Sequence, residues 1–132
     1  MFEVLVLVML STQPLEPVAQ GTASYYTVDS SGSRTASGES LSDEEFTCAM
    51  RTGEFGDHFL VVAENGKSVV CRLNDRGPFV KGRVIDLSEA AMRKLSPRAG
   101  LLKVTVYPLG KEVPRELAAL GPPRGSPSHR AG

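Results

Sequence analysis

Apolar and polar residues alternate in short runs along most of the chain, and this period of two predicts half-buried β-strands. We expect six of them, at residues 21–26, 46–50, 58–63, 68–73, 83–86 and 102–107. Asn65 and Gly66 separate two of these runs. This pair is a strong hairpin signal, because both turn residues must tolerate positive φ. The pattern therefore predicts a mainly β protein.

One clear helix signal follows the fifth strand, at residues 88–95. Ser88 can cap the N-terminus of this helix, and Glu89 suits the positive end of its dipole. Pro97 and Gly100 then end it. Short strands with one or two short helices are typical of a small closed barrel, since closure removes exposed strand edges. The predicted fold class is a six-stranded β-barrel.

The two ends of the chain differ from its middle. Residues 1–20 predict a signal-like leader and linker, because residues 2–10 are apolar apart from Glu3 and are too short to span a bilayer. The alternative is a buried strand at the barrel edge. Residues 109–132 are rich in Pro, Gly and Ser and predict a disordered tail that can hold a short helical turn at 115–120. One ordered domain is expected, at residues 21–108.

Composition limits the classes of function and the kinds of site that we expect in this chain. Lys+Arg and Asp+Glu are balanced at 15 each, without the basic excess of a nucleic-acid binder. The two histidines lie far apart and no Cys-x-x-Cys occurs, so we expect no metal and no cofactor. Cys48 and Cys71 permit one disulfide in an exported chain, and the alternative is two buried thiols. There is no Trp, so any surface that stacks on sugars must use Tyr or Phe.

Three carboxylates in or beside loops are the candidate chemical groups. Asp75 follows a strongly apolar strand, Asp86 ends the next one, and Glu39 lies in the polar loop between the first two strands. A carboxyl group kept protonated by its surroundings can donate a proton to a glycosidic oxygen. The alternative is structural, since an Asp in a Gly-Pro loop is usually a turn or ion-pair residue.

Several motifs occur in a characteristic order. They are Gly-Thr-Ala-Ser-Tyr-Tyr at 21–26, Thr-Ala-Ser-Gly-Glu at 35–39, Phe-Gly at 55–56, Asn-Gly-Lys-Ser-Val-Val at 65–70, Asn-Asp-Arg-Gly-Pro-Phe at 74–79 and Gly-Arg-Val-Ile-Asp-Leu-Ser at 82–88. Together they resemble the rare lipoprotein A family over about residues 21–107. The resemblance implies a double-psi β-barrel and a lytic transglycosylase that cleaves peptidoglycan glycan strands to 1,6-anhydromuramyl ends. The same barrel is shared, more remotely, with expansin-like proteins that loosen walls without hydrolysis.

The resemblance also implies roles for individual residues. Asp75 matches the proposed acid/base of the family, and Glu39 matches a second catalytic position, although Ser37 replaces the usual Asn beside it. Met50 stands where the family carries a His, and its thioether cannot take part in proton transfer. This departure leaves open the alternative of a non-catalytic glycan-binding or wall-loosening module.

The remaining expectations concern substrate-binding residues, partners and location. Asp86, Tyr25, Arg76 and Asn74 are the candidate substrate-binding residues, and the carboxylates are expected to converge on one groove. The resemblance implies peptidoglycan glycan strands as the partner. We expect a monomer without a membrane span or nucleic-acid partner, in the periplasm or extracellular envelope and not lipidated. A third alternative, an intracellular domain of unrelated function, requires both cysteines to be free.

Overall fold

The computed structural model describes residues 16–27, 34–40 and 42–121. Its strands are β1 (Ala19–Tyr26), β2 (Thr47–Ala49), β3 (His58–Ala63), β4 (Ser68–Asp75), β5 (Arg83–Ser88) and β6 (Leu102–Gly110). Helix α1 (Glu89–Leu95) lies between β5 and β6, and a 3₁₀ helix (Arg115–Leu120) follows β6. All six predicted strands and both helical segments are present.

The six strands close into a barrel in the order β1-β5-β2-β4-β3-β6. The pairs β1–β5 and β2–β4 are parallel, and the other four are antiparallel. Strands that are distant in sequence therefore become neighbours, and both parallel pairs join an early strand to a later one. The predicted six-stranded, mainly β barrel is confirmed.

Alternating side chains of every strand fill the inside of the barrel, as the period of two requires. On β4 these are Val69, Cys71 and Leu73, which are completely buried. Helix α1 adds Ala91, Met92 and Leu95 to the same core. As predicted, Ser88 caps this helix, and its hydroxyl accepts a hydrogen bond from the Ala91 N–H at 3.3 Å.

A register shift between β2 and β4 changes the face on which β4 ends. Cys48 lies opposite Leu73, but the next residue, Ala49, lies opposite Asp75. Asn74 is the extra residue of this β-bulge, which redirects the side chain that follows it. Asp75 thus shares the face of Ala49, turned away from the core. Without the bulge, strand alternation would put Asp75 on the same side as Leu73.

The ends of the ordered region differ from the predicted boundaries. β1 begins at Ala19, and β6 continues to Gly110. The structure describes residues 109–121 of the predicted tail, where the 3₁₀ helix lies against β4. Lys111 Nζ holds this segment to the barrel through Asp57 at 2.7 Å and Glu54 at 3.1 Å.

The predicted leader, apart from its last five residues, and the remainder of the predicted tail lie outside the described residues. Within the described part of the chain, no helix is long and apolar enough to cross a membrane.

Candidate active site

Four strands place a row of residues side by side on the face turned away from the core. Ser24 of β1 lies opposite Asp86 of β5, and Asp86 lies opposite Ala49 of β2. On its other side, Ala49 lies opposite Asp75 of β4. The small Ala49 side chain therefore separates the two carboxylates, whose backbones are two strand spacings, roughly 10 Å, apart. The structure brings Asp75 and Asp86 to one surface, although eleven positions separate them in the chain.

Asp86 is half-buried within this row. Its Oδ1 accepts a hydrogen bond from the Ser24 hydroxyl at 3.0 Å. Burial raises the pKa of the Asp86 carboxyl, and the charge of Asp75 adds to this effect, while the Ser24 hydrogen bond and the Arg83 charge oppose it. A carboxyl whose pKa is raised retains its proton closer to neutral pH, as a general acid requires.

Asp75 is oriented by two backbone donors. Its Oδ1 accepts hydrogen bonds from the Ala36 N–H at 2.9 Å and from the Arg76 N–H at 2.8 Å. Its Oδ2 accepts no hydrogen bond from any residue that the structure describes. The backbone carbonyl of Asp75 accepts a hydrogen bond from the Met50 N–H at 3.2 Å. Two backbone donors thus fix one oxygen of this carboxylate.

Glu39 anchors the loop of residues 34–40, which supplies the Ala36 donor. Its Oε2 accepts a hydrogen bond from Arg72 at 2.6 Å, and its Oε1 accepts one from the Asn74 amide at 3.2 Å. Partial burial alone would raise the pKa of Glu39, but the hydrogen bonds from Arg72 and Asn74 and the Arg72 charge outweigh it, so the pKa is lowered. Both oxygens of this ionised carboxylate are engaged by the protein. Glu39 therefore lies beside Asp75 as part of a loop anchor and not within the row.

Asn74 and Arg76, both predicted to bind substrate, are used inside the protein. Asn74 is only 2% exposed and binds Glu39, while its own carbonyl accepts the Ser37 N–H at 3.2 Å. The guanidinium of Arg76 donates to the carbonyls of Met50 at 3.3 Å and Gly53 at 2.7 Å. These contacts give Asn74 and Arg76 positions that brace the loop beside Asp75.

Tyr25 is not brought to the row. It alternates with Ser24 along β1 and therefore lies on the other face, where it packs against the core. The guanidinium of Arg93 covers its ring, with 4.8 Å between the Arg93 carbon and the ring centroid. The structure thus places Tyr25, which was predicted to contact the groove, on the face opposite the row.

Two polar residues near the carboxylates, Ser24 and Thr47, were missed by the sequence analysis. Ser24 binds Asp86 directly, and the Tyr26 hydroxyl bonds to the Thr47 hydroxyl at 2.7 Å. Burial is the main reason that the pKa of Tyr26 is raised, and Asp86 and Asp75 contribute to the shift. A signal for Ser24 exists in the sequence, since it shares one face of β1 with Tyr26 by alternation.

Met50, which replaces the family His, is 5% exposed and belongs to the core cluster. Its backbone adjoins Asp75 through the hydrogen bond described above. His58 does not take its place, because its ring lies by the carbonyl of Gly110, with 3.3 Å between Nδ1 and the oxygen. Within the described residues, no cluster of His, Cys, Asp and Glu could hold a metal ion.

A disulfide lies directly beneath the row. Cys48 and Cys71 are bonded, with Cα atoms 5.8 Å apart. The bond joins β2 to β4, and Cys48 immediately precedes Ala49, which separates the two carboxylates. The disulfide thus ties together the two strands that position Ala49 and Asp75.

Comparison with known families identifies the domain. A family model described as "Lytic transglycolase" matches residues 18–106, which is more than half of the chain. The chain belongs to this family. The resemblance to the rare lipoprotein A family is confirmed, and the matched region of this lytic transglycolase domain contains all four members of the row.

Curated relatives resemble the domain closely but are much longer. The chain is 46% identical to a probable endolytic peptidoglycan transglycosylase RlpA of Synechocystis over 82 residues, 61% of this chain and 26% of that protein. It is 45% identical to the probable enzyme of Nostoc over 70% of this chain and 26% of the relative. It is 42% identical to the Neisseria meningitidis enzyme over 63% of this chain and 35% of the relative. The chain thus spans a minor part of each relative's length.

Two solved structures share the fold of this lytic transglycolase domain. The Streptomyces papain inhibitor has a TM-score of 0.56 at 24% identity, covering 67% of this chain and 91% of that one. An expansin of Clavibacter michiganensis has a TM-score of 0.56 at 19% identity, covering 72% of this chain and 52% of that one. At these identities the likeness concerns the fold alone. The predicted double-psi β-barrel class is confirmed.

Proposed function

We propose that this domain is a peptidoglycan lytic transglycosylase that cleaves glycan strands to 1,6-anhydromuramyl ends. The observation that supports it best is the pair of carboxylates, Asp75 and Asp86, on one face of the barrel with only Ala49 between them. Membership of the lytic transglycolase family and identity to named endolytic peptidoglycan transglycosylases point to the same reaction.

The reaction needs one group that gives a proton and later takes one. The protonated carboxyl donates its proton to the bridging glycosidic oxygen, and the bond from that oxygen to the muramyl anomeric carbon breaks. The 6-hydroxyl of the same muramyl residue then attacks the anomeric carbon and gives its proton to the carboxylate. No water is consumed, so one acid can complete the cycle.

We assign the proton transfer to Asp75, whose Oδ2 accepts no hydrogen bond within the described residues. Asp86 is the neighbouring carboxyl that orients the sugar and shapes the local field. Its raised pKa also makes it the alternative acid. Glu39 acts through the 34–40 loop, which presents the Ala36 N–H to Asp75.

Digestion of purified sacculi tests this assignment, with mass spectrometry of the released anhydromuropeptides. We expect Asp75→Asn to abolish release while the thermal unfolding midpoint is retained, because the substitution keeps volume and removes the titrating proton. Asp86→Asn is the matched variant across Ala49 and should reduce release without abolishing it. Full activity in Asp75→Asn, with loss in Asp86→Asn, would move the acid to Asp86.

The second candidate function is a glycan-binding or wall-loosening module without turnover. The observation in its favour is Met50, because general acid–base assistance typically contributes about 10²–10⁴-fold and the family His is absent. Met50→His separates the two functions. We expect this variant to release more anhydromuropeptide than the wild type, because the Met50 backbone bonds to Asp75 and His supplies a proton-transferring group there. Its thermal unfolding midpoint checks that the core around position 50 accepts the His side chain. Glycan binding without release in either form would favour the module.

We place the protein in the cell envelope, where its substrate lies, as an exported monomer. The disulfide between Cys48 and Cys71 supports an oxidising compartment, because cytosolic thiols are kept reduced. Thiol counting on protein recovered from the periplasm and from the medium tests both the location and the bond.

A further inference from the structure

The loop that follows Asp75 exposes the ring of Phe79, which takes no part in the proton transfer proposed above. Phe79 is 79% exposed, and its neighbour Val80 is 53% exposed. Adjacent apolar side chains that are both exposed are candidates for contact with a ligand. Phe79 lies four residues after Asp75 on the same loop, so the Cα atoms of the two residues are at most about 14 Å apart.

The ring is presented by a loop that is held in place. Arg51 Nη1 donates hydrogen bonds to the Pro78 carbonyl at 2.9 Å and the Arg83 carbonyl at 3.0 Å, which ties the residue before Phe79 to the start of β5. The Gly77 backbone lies against one edge of the ring, because a Cβ added at Gly77 would stand 3.4 Å from Phe79 Cε2. A ring that is already positioned loses little conformational freedom when a ligand binds.

Among the described aromatic residues, only Phe79 combines high exposure with proximity to Asp75. Phe46, Phe59 and Tyr26 are buried. Guanidinium groups cover the rings of Tyr25 and Phe55. Tyr107 lies in a separate groove between β1, β3 and β6. The chain has no Trp, so Phe79 is the aromatic face available for stacking at this site.

We propose that Phe79 is a sugar-stacking platform that binds a pyranose ring of the glycan strand beside the bond cleaved at Asp75. The proposal rests on the proposed function and adds a subsite to it. The apolar C–H face of an amino sugar would lie on the ring, while the polar groups of the same sugar remain in water. Such a contact supplies affinity and register along the strand without touching the proton transfer.

The test measures binding in an Asp75→Asn background, so that the glycan is not consumed. Isothermal titration with a peptide-free tetrasaccharide of alternating N-acetylglucosamine and N-acetylmuramic acid gives Kd. We expect Phe79→Ala to raise Kd about three- to tenfold, the range that aromatic stacking energies imply. Phe79→Leu should resemble Phe79→Ala because it lacks a flat face, and Phe79→Tyr should bind as tightly as the parent.

Val18→Ala is the matched control, because Val18 is 53% exposed and precedes β1 at the end remote from Ser24. With Asp75 restored, Phe79→Ala should raise KM for the oligosaccharide and leave kcat nearly unchanged. Equal Kd and equal KM in Phe79→Ala and Val18→Ala would overturn the platform while leaving the enzyme intact. Wild-type protein that neither binds this glycan nor releases anhydromuropeptides would instead overturn the proposed function, and the platform with it.

Discussion

Asp86 and Asp75 show how two similar side chains acquire different surroundings within one row. Asp75 receives two backbone N–H donors at a single oxygen, whereas the Asp86 carboxyl receives the Ser24 hydroxyl alone among the described residues. Burial raises the pKa of Asp86 first, and the charge of Asp75 raises it further. Partial burial of the ionised Asp86 carboxyl therefore lowers the stability of the fold at neutral pH. Carboxyl groups held at such a cost are common at catalytic and binding sites.

Asp86→Asn should therefore stabilise the fold at neutral pH. A carboxyl whose folded pKa is raised binds its proton more tightly in the folded state, so its contribution to stability falls as pH rises above the unfolded value, taken as 3.8. We expect the unfolding free energies of the wild type and Asp86→Asn to converge below this pH and to diverge above it. Denaturant titrations at several pH values measure the difference. A constant difference across that range would contradict the raised pKa.

The loop of residues 34–40 links the orientation of Asp75 to strand β4. Its backbone donates to Asp75 through Ala36, and its carboxylate, Glu39, reaches back to Arg72 and Asn74 of β4. The loop and the end of β4 are therefore joined by hydrogen bonds in both directions. We expect that removal of the Glu39 charge displaces the Ala36 N–H, which orients Asp75.

Glu39→Gln and Glu45→Gln form a matched pair that tests this anchor. Both carboxylates bind Arg72, at 2.6 Å and 3.3 Å, but only Glu39 also binds Asn74 on the loop beside Asp75. We expect each variant to lose no more than about 1 kcal/mol of unfolding free energy, because the pairs are partly exposed. Anhydromuropeptide release should fall by about ten- to a hundredfold in Glu39→Gln, through misplacement of the acid. It should stay near the wild-type level in Glu45→Gln.

The pH dependence of the Glu39 anchor runs opposite to that of Asp86. Since the pKa of Glu39 is lowered in the fold, the stabilising effect of this carboxylate is complete above the unfolded value of 4.5 and is lost as pH falls through the folded pKa.

For the matched pair of variants, equal anhydromuropeptide release in Glu39→Gln and Glu45→Gln would show that Glu39 does not act through the loop.

The disulfide is the covalent link between elements β2 and β4. It closes a loop between positions separated by 23 in sequence. In the chain-entropy model, closing a loop of this length stabilises the fold by about 3–4 kcal/mol. The double variant Cys48→Ala with Cys71→Ala should lose about this amount in denaturant unfolding. Two free thiols per denatured, unreduced chain would show that the bond is absent in solution.

The largest structural unit of the molecule is the closed barrel. Each strand has a hydrogen-bonded neighbour on both sides, so no edge remains open. The segment after β6 is outside this closed ring but is held to it by Lys111 and by the 3₁₀ helix against β4. We therefore treat residues 111–121 as an attachment to the barrel and not as a part of it.

A chain that ends at Gly110 should fold to the same barrel and unfold cooperatively, with a slightly lower thermal midpoint. The control is a chain that ends at Gly121, which retains both contacts and should show a higher midpoint. Circular dichroism melting measures both, and limited proteolysis should leave β3 and β4 uncut in each. First cleavage within residues 61–73 would contradict a barrel that is stable without the attachment.

Local patterns in the sequence determined the elements. Alternation marked all six strands, Ser88 and Glu89 marked the start of α1, and Asn65 with Gly66 marked the hairpin turn. Each of these signals depends on neighbours a few positions away, since period, capping and turn conformation are local properties of the backbone. The two carboxylates could likewise be found at strand ends.

Only the tertiary structure decided which side chains meet. The bulge at Asn74 sets the face of Asp75, and pairing across Ala49 brings it beside Asp86. The same pairing puts Ser24 at the site and turns Tyr25 into the core. Glu39 likewise becomes an anchor because a strand far along the chain places Arg72 next to it. Register is a relation between distant segments, and a shift of one residue reverses every side chain, so no local pattern in the sequence contains it.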